Sequence, residues 1–296
     1  MRYEKPALSI DQQIELLKGR KLVIKDNARA KKYLSNIGYF RLTGYMFHLQ
    51  DASNNFLEGA TFDEVIKLYQ FDKKLRAILS EYLERIEVAL RAKLTNKYSI
   101  NHGFFWFTNL ELYEDKDIYN SINLEIRDKF EKAQEQFLKS FKNKYPKESM
   151  PPSNMALEVL TLGKLCRLYK GLINKDEKLE IAKEFNLPST ILSEWFIYLT
   201  NIRNACAHHS RLWNRKFAAD RPTIPSREKY KFNGDIPTDF NTTIYGVIAL
   251  IDRLLASFNP ENTFTKKIEE LIEQCSVNPG FMGFPKNWNT NAVWKY

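Results

Sequence analysis

The longest periodic run in the chain constrains its fold most. Val65, Leu68, Phe71, Leu75, Ile78, Tyr82, Ile86, Leu90 and Leu94 recur at spacings of three and four, the period of an α-helix with one apolar face. Thr61-Phe62-Asp63-Glu64 has the form of a capping box at its start. The spacing predicts one helix over 62–97, and so long an apolar stripe has to be covered by other elements. The remaining signals are helical as well. Ser9-Ile10-Asp11-Gln12 opens a helix running to about Gly19. Further helices are expected over about 27–37, 117–144, 154–171, 175–185, 240–258 and 261–275, with one more starting at Pro188.

Between these runs lie shorter pieces. Lys21-Leu22-Val23-Ile24 reads as a strand fragment or a loop anchor. Gly38-Tyr39-Phe40-Arg41-Leu42-Thr43-Gly44-Tyr45 is bracketed by glycines and reads as an irregular turn that packs its rings. Residues 101–115, with Phe104-Phe105-Trp106-Phe107, interrupt the helical pattern again. No convincing alternating strand pattern appears, so the expected class is all-α: a helical bundle. The expected organisation is a small basic N-terminal helical module over 1–55, a helical body over 56–276, and an aromatic, mostly irregular tail over 277–296.

Charge is unevenly distributed. The 296 residues carry a formal net charge of +9. Residues 1–50 hold 10 Lys and Arg against 4 Asp and Glu, and residues 201–231 hold 8 against 2. The rest of the chain is mildly acidic. Two basic patches on such a body point to a polyanionic partner, although a surplus of solubilising charge gives the same count. Hydrophobic residues make up 44% and charged residues 27%, which is ordinary for a folded protein. The 3 cysteines, Cys166, Cys206 and Cys275, are far apart, which argues against a disulfide framework. No basic-then-apolar leader and no apolar run of about 18–20 residues is visible. The expectation is a cytoplasmic protein with no membrane partner.

The helix that starts at Pro188 carries the chemistry. It ends in Asn201-Ile202-Arg203-Asn204-Ala205-Cys206-Ala207-His208-His209-Ser210-Arg211-Leu212-Trp213-Asn214-Arg215, which holds two of the chain's 4 histidines beside three arginines. With Trp195 as zero and about 100° per residue, Ile191, Tyr198, Leu199, Ile202 and Cys206 fall within about 60° of it, a core-facing stripe. Arg203 lands on the edge of the stripe and Asn204 opposite it. If the helix continues, His209 falls inside the stripe as a core histidine and His208 outside it, free for a ligand or a second subunit. Arg203 and His208 are then about 140° apart on one helix. They meet at one phosphate only if the helix ends or distorts near Ala207, or if two copies face each other across a twofold axis.

Such a pair can cut RNA without a metal. A histidine, whose ordinary pKa is about 6.5, can take the proton of the 2′-OH. A guanidinium can hold the phosphate bidentately as charge builds on it. The products would be a 2′,3′-cyclic phosphate and a 5′-OH. DNA lacks the 2′-OH and should resist, so no DNA partner is expected. The spacing alone fits equally an Arg203 paired with a carboxylate and histidines that cap a helix end. A zinc site from Cys206, His208 and His209 fails, because spacings of one and two on a helix do not converge on one ion. Gly-rich phosphate loops are absent, and no cofactor is called for.

Arg203-Asn204 followed by His208 resembles the signature of HEPN-domain ribonucleases. The continuation from Ala207 to Arg215 resembles the bacterial abortive-infection (Abi) family of phage-resistance proteins. Lys5-Pro6, Gly38 to Tyr45, Arg85-Ile86-Glu87 with Arg91, and Glu158-Val159-Leu160-Thr161-Leu162-Gly163 are similar to that family's pattern in the same order, over roughly 5–220. Leu42-Thr43 and Cys166 depart from it in side-chain detail, away from the motif. The resemblance implies a HEPN-like helical fold, usually a homodimer, acting on RNA in phage defence in a toxin-like role. It also implies a small structured noncoding RNA as a partner. Arg203 and His208 would be the catalytic pair and Asn204 a polar helper.

Other residues are candidates for RNA contact. Arg211, Arg215, Lys216 and Arg221 follow the motif with Trp213 and Phe217 interleaved, a mixture suited to phosphate contacts and base stacking; the alternative is a solvated loop with its rings in the core. Lys18, Arg20, Lys21, Lys25, Arg29, Lys31 and Lys32 form a second candidate surface. Arg41, among rings, reads as a cation–π partner. Glu158 reads as a salt-bridge partner of Arg203 or of a nearby arginine. His48 and His102 stand alone and are assigned no function.

Overall fold

Helix α4, Phe62–His102, is the axis of the molecule. Its 41 residues span roughly 60 Å at 1.5 Å per residue. Thr61 caps it by accepting the N–H of Glu64, and Gly103, at φ 75, ends it, a left-handed position that glycine adopts without strain. The predicted stripe is buried from Val65 to Leu94, with Ile78 half-buried, and Tyr98 continues it.

The computed structural model describes residues 2, 4 and 6–294, so Lys5 lies outside the described residues. Before α4 come α1 (Ile10–Gly19), α2 (Asn27–Ile37) and the short α3 (Tyr39–Thr43). After it come α5 (Lys116–Lys132), α6 (Gln136–Lys144), α7 (Ser153–Ala156), α8 (Leu162–Gly171), α9 (Asp176–Glu184), α10 (Ser189–Ala207), α11 (Ile244–Ala256) and α12 (Phe264–Cys275). The described residues include no β-strand, and the class is all-α. None of their helices is long and apolar enough to cross a membrane. Lys21–Ile24 is a loop anchor: Leu22 is buried and Val23 pairs with Thr61 in an isolated bridge.

Helices α8, α9, α10, α11 and α12 all pack on α4. One apolar core runs from Ile14 through α4 and α10 to Val293, so the N-terminal segment and the tail share it with the body. Removing each such large side chain from water contributes about 1.5–3 kcal/mol.

Two predicted helices are each divided. The 117–144 run breaks at Ala133, which is left-handed at φ 38; there the chain turns back so that Phe130 and Leu138 meet in a small core of their own. The 154–171 run breaks at 157–161, where Thr161 caps α8 by accepting the N–H of Lys164. Arg91 holds that break from α4: its Nε donates to the Leu157 carbonyl at 3.0 Å and its Nη2 to the Leu160 carbonyl at 3.3 Å. The Gly38–Tyr45 turn contains one helical stretch, α3, which buries Leu42 and leaves Phe40 outside.

Candidate functional site

Pro188 precedes α10, and the helix buries Trp195, Tyr198, Leu199, Ile202 and Cys206 as its stripe predicts. It stops at Ala207. The His208 N–H donates to the Asn204 carbonyl at 2.9 Å, the His209 N–H to Cys206 at 3.0 Å, and the Ser210 N–H to Ala205 at 2.8 Å. His209 has φ 54. The last two bonds with a left-handed residue between them make a Schellman ending. The backbone therefore leaves the helix before His209 reaches the stripe, and the expectation of a core histidine there is corrected: His209 is exposed. His208 is exposed as expected. Both histidines take part in ending the helix.

Arg203 faces one side of this ending. It lines a cavity of about 390 Å³ with Ser80, Glu84, Glu87, Thr161 and Ala207. Gly163 lets α8 approach closely here, since a Cβ would sit 3.2 Å from Thr200 Cγ2. Arg203 is half-buried, and no carboxylate among the described residues pairs with it. Its Nε is buried without a hydrogen-bond partner. Of the two α4 carboxylates that line the cavity, Glu84 and Glu87, Glu87 is engaged by Arg91 at 2.9 Å. Glu158 also pairs with Arg91, at 3.6 Å, so of its two expected partners the structure selects the nearby arginine. Cys166 lies beneath, its thiol pushed up to about 12 by burial. Asn204 is half-buried and lines neither this cavity nor the next.

The histidines face the other side. His208 and His209 line a cavity of about 550 Å³ whose opposite wall is α3 and the turn after it, including Phe40, Arg41 and Phe47. Arg41 Nη1 donates to the His209 carbonyl at 2.6 Å, so the guanidinium expected to stack on rings instead clamps α3 to the end of α10. Behind this cavity sits Asp72, wholly buried on α4. It accepts the Tyr45 hydroxyl at 2.7 Å, Arg76 Nη1 at 2.5 Å, and the backbone N–H groups of Leu212 at 3.2 Å and Trp213 at 2.8 Å. Arg76 Nη1 also donates to the Ser210 carbonyl at 3.1 Å. The segment that follows the motif is thus pinned to α4 by one buried ion pair.

The candidate RNA-contact residues separate into groups. Trp213 is in the core, its ring edge-on to His48 at 4.6 Å and tilted on Phe281 at 5.5 Å. No ring face is left for a base, so a stacking role for Trp213 is corrected; Phe217 is buried too. Arg211 donates to the carbonyls of Trp213 at 3.0 Å and Asn214 at 2.9 Å, and holds its own loop. Arg215 lies over Phe217 at 4.9 Å. Lys216 pairs with Asp239. Arg221 lines a different cavity with Ser189 and Thr190, at the start of α10, roughly 25 Å along the helix from the histidines. In the N-terminal cluster, Lys18 pairs with Glu15, Arg29 with Asp63 and Lys31 with Asp11. Exposed pairs of this kind are weak and keep their charge near the surface. Lys21, Lys25 and Lys32 are exposed and Arg20 is half-buried.

Sequence reasoning missed Asp72, Arg76, Phe40 and Phe47. A signal for the first existed. Asp72 lies four residues after Leu68 and three before Leu75, inside the apolar stripe, where a charge calls for a buried partner.

Three separated stretches, around Glu87, Thr161 and Arg203, meet at one cavity, and the Gly38–Tyr45 stretch meets His208 at the other. No curated protein and no solved structure matches the chain. The model of the Abi-like protein family matches residues 32–214, a span that contains all of these stretches. With more than half of its length matched in this way, the chain belongs to the Abi-like protein family.

Proposed function

We propose that this protein is a metal-independent endoribonuclease of the HEPN type, acting in phage defence. Membership of the Abi-like family supports the phage-defence part. The observation that carries the nuclease part is the state of Arg203 and His208. Arg203 lines a cavity with no ion-pair partner among the described residues, and its buried Nε has no hydrogen-bond partner among them. His208 stands exposed five residues on, at a helix end that holds only its backbone. Leaving a buried donor unbonded costs about 1–3 kcal/mol, so Arg203 Nε calls for a partner from outside the fold, a ligand or an ordered water.

In the proposed reaction the 2′-oxygen attacks the adjacent phosphorus and the 5′-oxygen leaves. One imidazole takes the 2′-OH proton, and a second returns a proton to the leaving oxygen. Guanidinium groups hold the charged phosphorus oxygens. Within one chain, Arg203 and His208 open on different cavities. Two copies related by a twofold axis through the ends of α10 would bring two of each to one linkage, with Asn204 orienting the contact. A small structured noncoding RNA bound to the basic surfaces would hold the nuclease in check.

The same separation favours a second reading, in which a single chain is a non-cleaving scaffold for a structured noncoding RNA. One experiment separates the two. Purified protein is incubated with RNA in EDTA and the product ends are analysed. The nuclease reading expects 5′-OH and 2′,3′-cyclic phosphate ends, absent with Arg203→Ala or His208→Ala. Cleavage that persists in both variants overturns it. RNA that co-purifies uncut, together with no cleavage of added RNA once the bound RNA has been stripped from the wild-type protein, supports the scaffold instead.

A further inference from the structure

Phe40 and Phe47 are 90% and 62% exposed, although a continuous core lies directly beneath them. They stand on the wall of the cavity that faces His208 and His209. The backbone around Phe40 is held on both sides. Gly38, at φ 89, sets the entry to α3. Gly44 lies so near Arg211 that a Cβ would sit 3.2 Å from its Cδ and Nε. Arg41, next to Phe40, is bonded to the His209 carbonyl.

The lining of this cavity includes Arg41, Arg211, His208 and His209 and no carboxylate; Asp72, behind it, is matched by Arg76. Exposed rings beside fixed cations are the arrangement that binds single-stranded nucleic acid, the rings stacking on bases and the cations following the phosphates. The volume, about 550 Å³, falls in the range of roughly 300–1,000 Å³ that holds small ligands. A base-paired duplex hides its ring faces and offers no partner for Phe40 or Phe47.

We propose that Phe40 and Phe47 form a stacking platform for unpaired RNA bases, so that the strand presented to His208 is single-stranded. The proposal rests on the RNA-directed reading above and names its substrate: loops, bulges or ends of RNA rather than helices. The N-terminal module is then one wall of the site.

The test is fluorescence anisotropy with a labelled 2′-O-methyl oligouridylate, which lacks the nucleophile and stays intact, and with a 2′-O-methyl duplex of the same length. The full chain is compared with Phe40→Ala/Phe47→Ala and Phe40→Trp/Phe47→Trp. Loss of stacking weakens single-strand binding at least about five-fold per ring in the alanine variant. The tryptophan variant retains the affinity, duplex binding does not change, and the dependence on salt keeps its slope because no phosphate contact is lost. Unchanged single-strand affinity in the alanine variant overturns the proposal, and so does an equal loss on the duplex. A shift from dimer to monomer in sedimentation, without a direct binding defect, overturns it by making this face a contact between copies. Cleavage assays on Arg203→Ala and His208→Ala read the nuclease independently. A platform without cleavage sinks the nuclease alone, and cleavage that depends on His208 but not on the two rings sinks the platform alone.

Discussion

Asp72 accepts the backbone N–H of Trp213 at 2.8 Å while its other oxygen holds Arg76 at 2.5 Å. One wholly buried carboxylate therefore ties α4 to the segment that carries the motif out of α10. Its removal leaves Arg76, 6% exposed, without its counter-charge and two backbone donors without their acceptor. Breaking a buried pair in this way costs about 3–5 kcal/mol. Asp72→Ala is expected to lower stability by that amount in urea unfolding, with the slope unchanged. A loss below about 1 kcal/mol would mean that the pair is not what fixes the segment.

Two arginines, Arg203 in the lining of the smaller cavity and Arg91 bonded to Glu87 of that lining, should behave oppositely. Arg91 bonds Glu87 and two backbone carbonyls, whereas Arg203 has an unbonded buried Nε. Arg91→Met is expected to destabilise by roughly 2–4 kcal/mol, since three charge-assisted bonds are lost and their acceptors stay half-buried. Arg203→Met keeps the packing and removes an unsatisfied donor, so its melting temperature is expected to equal or exceed that of the wild type. Thermal unfolding of the two variants side by side checks this. A large loss in Arg203→Met would make Arg203 a structural residue.

The axial helix was readable because its period is long and its cap is local; Thr61 and the stripe from Val65 to Leu94 need no tertiary information. The division between α5 and α6 was not readable. Ala133 carries no glycine or proline signal, and only the meeting of Phe130 with Leu138 makes its left-handed turn worthwhile. Thr161 was a readable cap that the surrounding apolar pattern masked. At the site, the chemistry of Arg203 and His208 was visible in the string itself. The end of α10 was not, because a histidine fills the left-handed position where a glycine would have announced it. Trp213 illustrates the same limit: beside basic residues a ring reads as a stacking surface, and only the packing of His48 and Phe281 against it decides otherwise.

The cysteines are expected to differ in reactivity. Burial pushes the Cys166 thiol up to about 12 and the Cys206 thiol up to about 11, so almost no thiolate is present at pH 8, and both residues are buried. Cys275 is half-buried at the end of α12. Titration of the native protein with a thiol reagent at pH 8 should label Cys275 alone, and unfolding in urea should release the other two. Rapid labelling of Cys206 in the native state would mean that the end of α10 opens readily.

His48 sets an acid limit on the same region. Its ring is edge-on to Trp213 at 4.6 Å and to Phe281 at 5.3 Å, and its Nδ1 is buried without a partner. Burial, and after it the charge of Arg211, hold its pKa below the ordinary histidine value. The unfolded chain then binds this proton more readily than the folded one, so stability rises with pH across the interval between the two values. The contribution is complete above about pH 6.5, the unfolded value, and is lost progressively as the pH falls toward the folded value. His48→Phe keeps a ring against Trp213 and removes the proton site. Urea unfolding of both proteins at pH 7.5 and at pH 5 should therefore show the wild type losing more stability on acidification than the variant. Equal losses would mean that His48 stays in water when protonated and that its neighbours let it move.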